Sequence, residues 1–308
     1  MRIILIGQAA FAAQVLERLV QAGESLVGVF SPPDASGDPV QEAAERFGVP
    51  VHRIVSTKSP EVYSQCTALT PDLGVMAFVT QIVPLGLLNC PKLGTIQYHP
   101  SLLPKHRGAS AINWSIAKGE TKTGVTIFWP DGGIDTGPIL LQRDVDISSD
   151  DTVGSLYFGK LFPLGIECLT NAVSLIKQGI APRVPQDESS ATYESRFTDE
   201  HAKIDWSQPA QATFDLIRGS NPRPGAYTYL RGVRVKLYDC KLCVCGAKGT
   251  ESGKIVDISE SGIIIAAMGG AIKVNRVQPE SMPKMPAIDY AKLTGLKVGE
   301  LVGVDALK

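Results

Sequence analysis

The first third of the chain keeps switching between two hydrophobic periods, and that alternation constrains the fold more than any other feature. Arg2 to Ile6 is a short apolar run ending at Gly7. Phe11, Val15, Leu16 and Leu19 then recur at helical spacing. Leu26 to Phe30 reads as a second strand, followed by a Pro-, Asp- and Gly-rich loop over 31–39. A short helix runs to Phe47, and Val49 to His52 is a third strand. Ser59 to Leu69 reads as helix, Leu73 to Phe78 as a buried strand, and Thr95 to His99 as another. This rhythm predicts an α/β fold with a parallel, doubly wound sheet. Such sheets bind ligands beyond the C-terminal ends of their strands, where the strand order reverses. The dinucleotide fingerprint is absent, because the first strand is followed by Gly7-Gln8-Ala9-Ala10-Phe11. A nicotinamide dehydrogenase is disfavoured, and no P-loop is present.

Val125 to Trp129 and Ile139 to Gln142 read as two further strands with a glycine-rich loop between them. Thr152 to Gly179 is a long helical pattern in which Pro163 predicts a kink or break. From Ile180 the pattern turns polar. The expected organisation is a Rossmann-like domain over 1–182, a linker over 183–203 and a second domain over 204–308. Ser207 is the expected cap of the first helix after the linker. Beyond it, Tyr227–Cys245, Gly253–Ile258, Gly262–Ala267 and Ala271–Val277 alternate with glycine turns. Short strands of that kind predict a small open β-barrel.

With 308 residues, 44% of them hydrophobic, the chain can bury two cores. Its net charge is −1, with no block of Lys and Arg, which disfavours a globally basic nucleic-acid binder. Charge is uneven. Residues 204–308 hold 14 Lys and Arg against 10 Asp and Glu, and the remainder holds 16 against 21. The basic second half either helps hold an anionic partner or is chance asymmetry of a solvated surface. The six cysteines form no paired framework. Cys240, Cys243 and Cys245 lie in an alternating strand pattern with no second Cys or His pair, so a zinc site is not expected. Reduced cysteines fit the cytoplasm. Gln8 cuts the N-terminal apolar run, so a first strand is expected there rather than a signal peptide. No apolar stretch reaches the roughly 20 residues that span a bilayer, so no membrane partner is expected.

Three segments carry the chemistry. His99 precedes Pro100, which holds it extended, so it ends its strand. Period two places Gln97 and His99 on one face, an amide and an imidazole together, although a satisfied histidine in a surface turn fits the dyad equally well. Asp131-Gly132-Gly133-Ile134-Asp135-Thr136-Gly137 offers bare backbone groups to a flat ligand, and Asp135 also suits an ordinary turn. Ser101 to Gly108 follows His99 directly, and its Arg107 would either grip a carboxylate or phosphate or brace the loop.

Taken together, the run Tyr98 to Trp114 (YHPSLLPKHRGASAINW) resembles the formyltransferase family that uses N10-formyltetrahydrofolate. Asp131 to Gly137 is similar to the family's D-x-G-x-D-T-G signature. The likeness continues through Ala191–Glu194, Ile204–Pro209 and Asn221–Ala226, and so covers nearly the whole chain. Within the family the run is most similar to the hydrolase domains of formyltetrahydrofolate dehydrogenases, then to methionyl-tRNA formyltransferases. The resemblance implies a formyltransferase domain followed by a barrel domain, without the aldehyde dehydrogenase domain of the larger enzymes. It places the family's catalytic histidine at His99 and its aspartate at Asp135. Formyltransferases usually carry Asn two residues before that histidine. Here Gln97 stands there, keeping an amide on a side chain one methylene longer.

The implied reaction is acyl transfer from 10-formyltetrahydrofolate without a metal. His99 and Gln97 would be the candidate oxyanion donors, and Asp135 would orient and charge-stabilise His99 or act through a bound water. The pterin would lie among backbone groups of Trp129, Pro130, Asp131 and Gly133 and of the Met76 to Gln81 strand end, with Ser101 and Arg107 as further substrate contacts. Phe78 and Ile82 either pack on it or belong to the core. The expected acceptor is water, giving tetrahydrofolate and formate. Methionyl-tRNA is a less favoured acceptor, because Asp34, Asp38, Glu42 and Glu45 follow the second strand where tRNA phosphates would approach. A small amine such as an amino-sugar nucleotide is a third acceptor, and a non-catalytic folate-binding module is the alternative from another class. Nothing in the residues predicts an oligomeric state.

Overall fold

The computed structural model describes residues 1–33, 37–243 and 249–303. The chain divides into two compact units, each assembled from separate stretches. The first comprises Met1–Ala111, Thr123–Val145 and Phe158–Glu194; the second comprises Ile112–Lys122, Asp146–Tyr157 and Ser195–Lys308.

The expected alternation builds the first unit: β1 (Arg2–Gly7), α1 (Ala9–Gln21), β2 (Ser25–Ser31), α2 (Pro39–Arg46), β3 (Val51–Arg53), α3 (Pro60–Ala68), β4 (Leu73–Ala77), α4 (Leu85–Leu88) and β5 (Thr95–His99). A two-residue strand β6 (Arg107–Gly108) follows; α5 (Ala111–Ala117) falls almost wholly in the second unit, and the first resumes with β7 (Lys122–Phe128) and β8 (Ile139–Asp146). The sheet order is β3-β2-β1-β4-β5-β7-β8. The strands from β3 through β5 pair parallel, whereas β7 runs antiparallel to β5. The sheet is therefore parallel-rich and mixed. β1 and β4 are buried on both faces and read as continuous apolar runs, as central strands between helices must.

The kink expected at Pro163 takes another form. The helical pattern is α6 (Val153–Leu156), a π turn over Tyr157–Leu161, and α7 (Phe162–Lys177). Pro163 lies in the first turn of α7, where a missing N–H has no intrahelical acceptor to lose. The polar segment 183–203 is not a free tether. Val184 bridges to Ile139, and β9 (Tyr193–Glu194) pairs with β6.

The second unit contains α8 (Ala210–Gly219), β10 (Tyr227–Leu230), β11 (Val233–Cys243), β12 (Ile255–Ser259), β13 (Gly262–Ala267), β14 (Gly270–Pro279), β15 (Met285–Pro286) and α9 (Ala287–Thr294). Its antiparallel sheet runs β10-β11-β14-β13-β12, with β15 beside β14. The path has two ends, so the sheet is open. Phe214 and Ile217 of α8 and Tyr290 of α9 pack on Val235, Leu237, Ile265, Ile272 and Val274. Ser207 does not cap α8. Its hydroxyl donates to Asp205 at 2.6 Å in a turn, and the helix starts after Pro209. Cys245, expected at the end of the β11 strand, lies outside the described residues. No helix among the described residues is long and apolar enough to cross a membrane.

Candidate active site

β5 is the inner strand where the parallel sheet meets its antiparallel edge. Gln97 lies opposite Met76 of β4 on one side and Phe128 of β7 on the other, and His99 lies opposite Thr126. The His99 ring is buried between two partners. Its Nε2 is 2.8 Å from the His106 carbonyl, and its Nδ1 is 3.6 Å from Asp135 Oδ2. A carbonyl only accepts, so Nε2 carries a proton and donates it. Nδ1 is then the nitrogen that faces the carboxylate. A distance of 3.6 Å is beyond a direct hydrogen bond.

Asp135 is held from two sides. Its Oδ2 accepts the Gly108 backbone N–H at 2.8 Å. Its backbone carbonyl accepts from the Gln186 side chain at 2.9 Å, which also donates to the Gly137 carbonyl at 2.7 Å. Its own φ is +54°, in the left-handed region that L residues avoid. Ala9 and Phe78, just past the C-terminal ends of β1 and β4, share that conformation at φ of +59° and +60°, as does His106, just before β6, at +56°. Such strain costs of order 1–3 kcal/mol per residue and persists where surrounding contacts over-determine the backbone. Two glycines make the close approach possible. A Cβ on Gly137 would lie 1.8 Å from the Trp129 carbonyl oxygen, and one on Gly108, at φ +111°, would lie 2.4 Å from the Glu194 carbonyl oxygen.

Arg107 is the expectation most changed by the structure. It is fully buried and makes no approach to open space. Nε donates to Gln186 Oε1 at 3.2 Å; Nη1 donates to Glu188 Oε2 at 2.9 Å and to the Tyr193 hydroxyl at 2.5 Å. Nη2 donates to Gln186 Oε1 at 2.8 Å and Glu188 Oε1 at 2.6 Å. All five N–H groups are used, so none remains for a substrate anion. The Glu188 carboxylate holds the guanidinium above its usual range, and Arg107 holds Glu188 below its own. Arg107 thus orients Gln186, and Gln186 orients the Asp135 loop.

Other expected contacts are also occupied within the protein. Ser101 is buried, with its hydroxyl on the Lys105 carbonyl at 2.6 Å and its own carbonyl accepting from Thr126. The Trp129 indole donates to the Pro182 carbonyl at 3.0 Å, and Arg183 stacks on its ring at 3.8 Å. Gln81 bridges the Thr57 N–H and the Val55 carbonyl. The Met76 side chain belongs to the core around Ile4, Phe30 and Val62. Conversely, Phe78 and Ile82 are not core: they are 45% and 70% exposed. Ile134, in the loop that carries Asp135, is 55% exposed as well. Pro130 is half-buried, while Asp131 and Gly133 are exposed, with Asp131 accepting from the Gly133 N–H and the Thr136 hydroxyl. Gln97 is half-buried, and its amide has no protein hydrogen-bond partner among the described residues.

A small cleft lined by Ile6, Gly7, Gln8, Phe30, Thr57, Phe78 and Gln81 opens at the C-terminal ends of β1, β2 and β4. Asp38, read from sequence as part of an acidic surface, caps α2 through the Val40 N–H and pairs with Arg53 at 2.6 Å. Asp34 lies outside the described residues, and Glu42 and Glu45 are exposed. Among the described residues, no group of three or more His, Cys, Asp or Glu side chains is placed to share a metal ion.

Sequence reasoning passed over Gln186, Glu188 and His106. Gln186 and Glu188 come from the polar segment read as a linker, and only the Ala191–Glu194 resemblance nearby marked it. His106 is buried, with Nδ1 3.4 Å from Glu194 Oε1 and its N–H on Thr192 Oγ1 at 2.8 Å.

A parallel-rich sheet whose inner strand ends in a histidine, paired with an aspartate from a neighbouring loop, defines a recognisable class. Residues 1–161 match the formyl transferase model, and residues 196–294 match the formyl transferase C-terminal domain. The chain belongs to the formyl transferase family. It is 40% identical to the mitochondrial 10-formyltetrahydrofolate dehydrogenase of Mus musculus over 98% of its own length and 34% of that protein. It therefore spans about a third of the dehydrogenases it matches. It is 35% identical to the methionyl-tRNA formyltransferase of Ruminiclostridium cellulolyticum, over 98% of this chain and all of that one. HypX from Aquifex aeolicus, solved with tetrahydrofolic acid, shares the fold at a TM-score of 0.70 and 20% identity, over 97% of this chain and 48% of that one.

Proposed function

We propose that the protein removes the formyl group of 10-formyltetrahydrofolate by acyl transfer, with water as acceptor. The observation that carries this reading is the buried His99–Asp135 pair, in which Nε2 is committed to a carbonyl and Nδ1 faces the carboxylate. That arrangement suits a proton acceptor. Water attacks the formyl carbon and passes its proton to His99 Nδ1. Asp135 stabilises the imidazolium that forms, and the proton goes on to the leaving N10. General acid–base help of this kind is worth roughly 10²–10⁴ in rate. Negative charge builds on the formyl oxygen during attack. The Gln97 amide, on the same strand face as His99, is the candidate donor, and one such donor contributes about 3 kcal/mol. The exposed Phe78, Ile82 and Ile134 supply apolar surface for the pterin ring beside the loop. The dehydrogenase similarity, at 40% identity, supports water as acceptor.

A second reading has its own support. The methionyl-tRNA formyltransferase relative matches along the full length of both chains, and the internal pairing of Asp38 removes part of the charge that would repel tRNA. Following tetrahydrofolate release from 10-formyltetrahydrofolate, with and without initiator methionyl-tRNA, separates the two. Fast release without acceptor is the expected result. Release only with the tRNA would replace water by the aminoacyl amine.

A further inference from the structure

Cys66 and Cys90 showed no pairing pattern in the sequence, yet the fold brings their sulfurs to 2.8 Å. Cys66 lies in α3 and is fully buried; Cys90 follows α4 and is half-buried. Both sit among Ile54, Val62, Leu87 and Leu88. The Thr67 hydroxyl lies 3.7 Å from Cys90 Sγ. A disulfide needs the sulfurs at about 2.05 Å, so closing the bond takes a shift of under about 1 Å. A shift of that size is within the reach of side-chain adjustment.

We propose that Cys66 and Cys90 form a reversible intramolecular disulfide when the protein meets a peroxide. The accessible Cys90 thiolate attacks a peroxide oxygen. The O–O bond breaks, leaving Cys90 sulfenic acid and, with hydrogen peroxide, one water. The Cys66 sulfur then attacks the Cys90 sulfur. The S–O bond breaks, and the departing hydroxide takes the Cys66 proton as a second water. Two thiols are oxidised and one peroxide is reduced, and a thiol reductant reverses the change. Burial, together with the neighbouring Cys90, pushes the Cys66 thiol up, which suits it to resolve the sulfenic acid rather than to meet the oxidant first. The chain between the two cysteines carries β4 and the Phe78–Ile82 segment. The bond therefore staples one wall of the candidate site.

The test treats the purified protein with hydrogen peroxide, alkylates it under denaturing conditions without reductant, and maps the peptides by mass. The expected product is one linked Cys66–Cys90 peptide, lighter by two hydrogens than its thiol parts and lost on adding dithiothreitol. Cys168 stays a thiol as an internal control. Cys66→Ser should leave Cys90 as a sulfenic acid that dimedone traps, and Cys90→Ser should leave Cys66 a thiol. Alkylation of both cysteines in the oxidised wild type, or Cys90 sulfinic acid with no linked peptide, would overturn the proposal. The wild-type map decides the question even if Cys66→Ser fails to fold.

Discussion

At the scale of single residues, what distinguishes His99 from an ordinary core histidine is the pair of groups on its ring nitrogens. A carbonyl at Nε2 fixes the tautomer, and Nδ1 lies 3.6 Å from the Asp135 carboxylate. Replacing His99 or Asp135 by Ala should lower kcat by roughly 10²–10⁴ while folate binding, measured by fluorescence titration, survives. Arg107 belongs to a different group, because it touches only protein. Arg107→Lys offers three donors where five are used, and a lysine cannot span Gln186, Glu188 and Tyr193 together. The expected result is a lower melting temperature and a fall in kcat larger than any rise in KM. An unchanged kcat would show that the Arg107–Gln186 brace does not position Asp135. His99 and Asp135 were legible in the sequence because their motifs are specific. Of the two roles open to Arg107, the folded loop favours the brace, and the internal partners of the Ser101 hydroxyl and the Trp129 indole were out of reach of the sequence because burial is a property of the folded loop. The exposure of Phe78 and Ile82 was hidden for the same reason, since an apolar residue next to a buried strand looks like core.

At the scale of elements, periodicity exposed the strands and helices but not the short pieces that close the site. β6 and β9 contain two residues each, too few to show any period, and they pair across a wide gap in sequence. The 131–137 loop depends on Gly137 in the same way. Gly137→Ala places a methyl group against the Trp129 carbonyl, so the loop must move and Asp135 with it. Both thermal stability and turnover should fall; a fully active Ala variant would mean that the loop position is not tied to the chemistry. A second contact ties α7 to the turn before β2. Glu24 accepts from Lys177 at 2.7 Å and from the Met1 amine at 2.9 Å. Burial raises the Glu24 carboxyl, but these hydrogen bonds and charges outweigh it, and the net shift is downward. A lowered folded-state value adds stability above the unfolded value of about 4.3, and that stability is lost as pH falls through the folded value. Glu24→Gln should therefore lower the melting temperature at neutral pH and narrow the gap from wild type on acidification. An equal gap at all pH values would refute the linkage.

For the molecule as a whole, two units with separate cores follow from two distinct sequence rhythms, alternating strand and helix first and glycine-punctuated strands afterwards. The division in series expected from sequence could not anticipate that residues 112–122 and 146–157 cluster with the second unit, because that depends on long-range contact. Ile272 is fully buried on β14, the central strand of the second sheet. Ile272→Ala should cost about 2–5 kcal/mol of stability, read from chemical denaturation. The central claim is that acyl transfer from 10-formyltetrahydrofolate takes place at the His99–Asp135 pair. Its most direct test is a single-turnover measurement of tetrahydrofolate formation by wild type, His99→Ala and Asp135→Ala, each confirmed to bind the folate. The account predicts release by the wild type and near-complete loss in both variants at undiminished binding. Wild-type rates in either variant, or no release by the wild type with any acceptor, would contradict it.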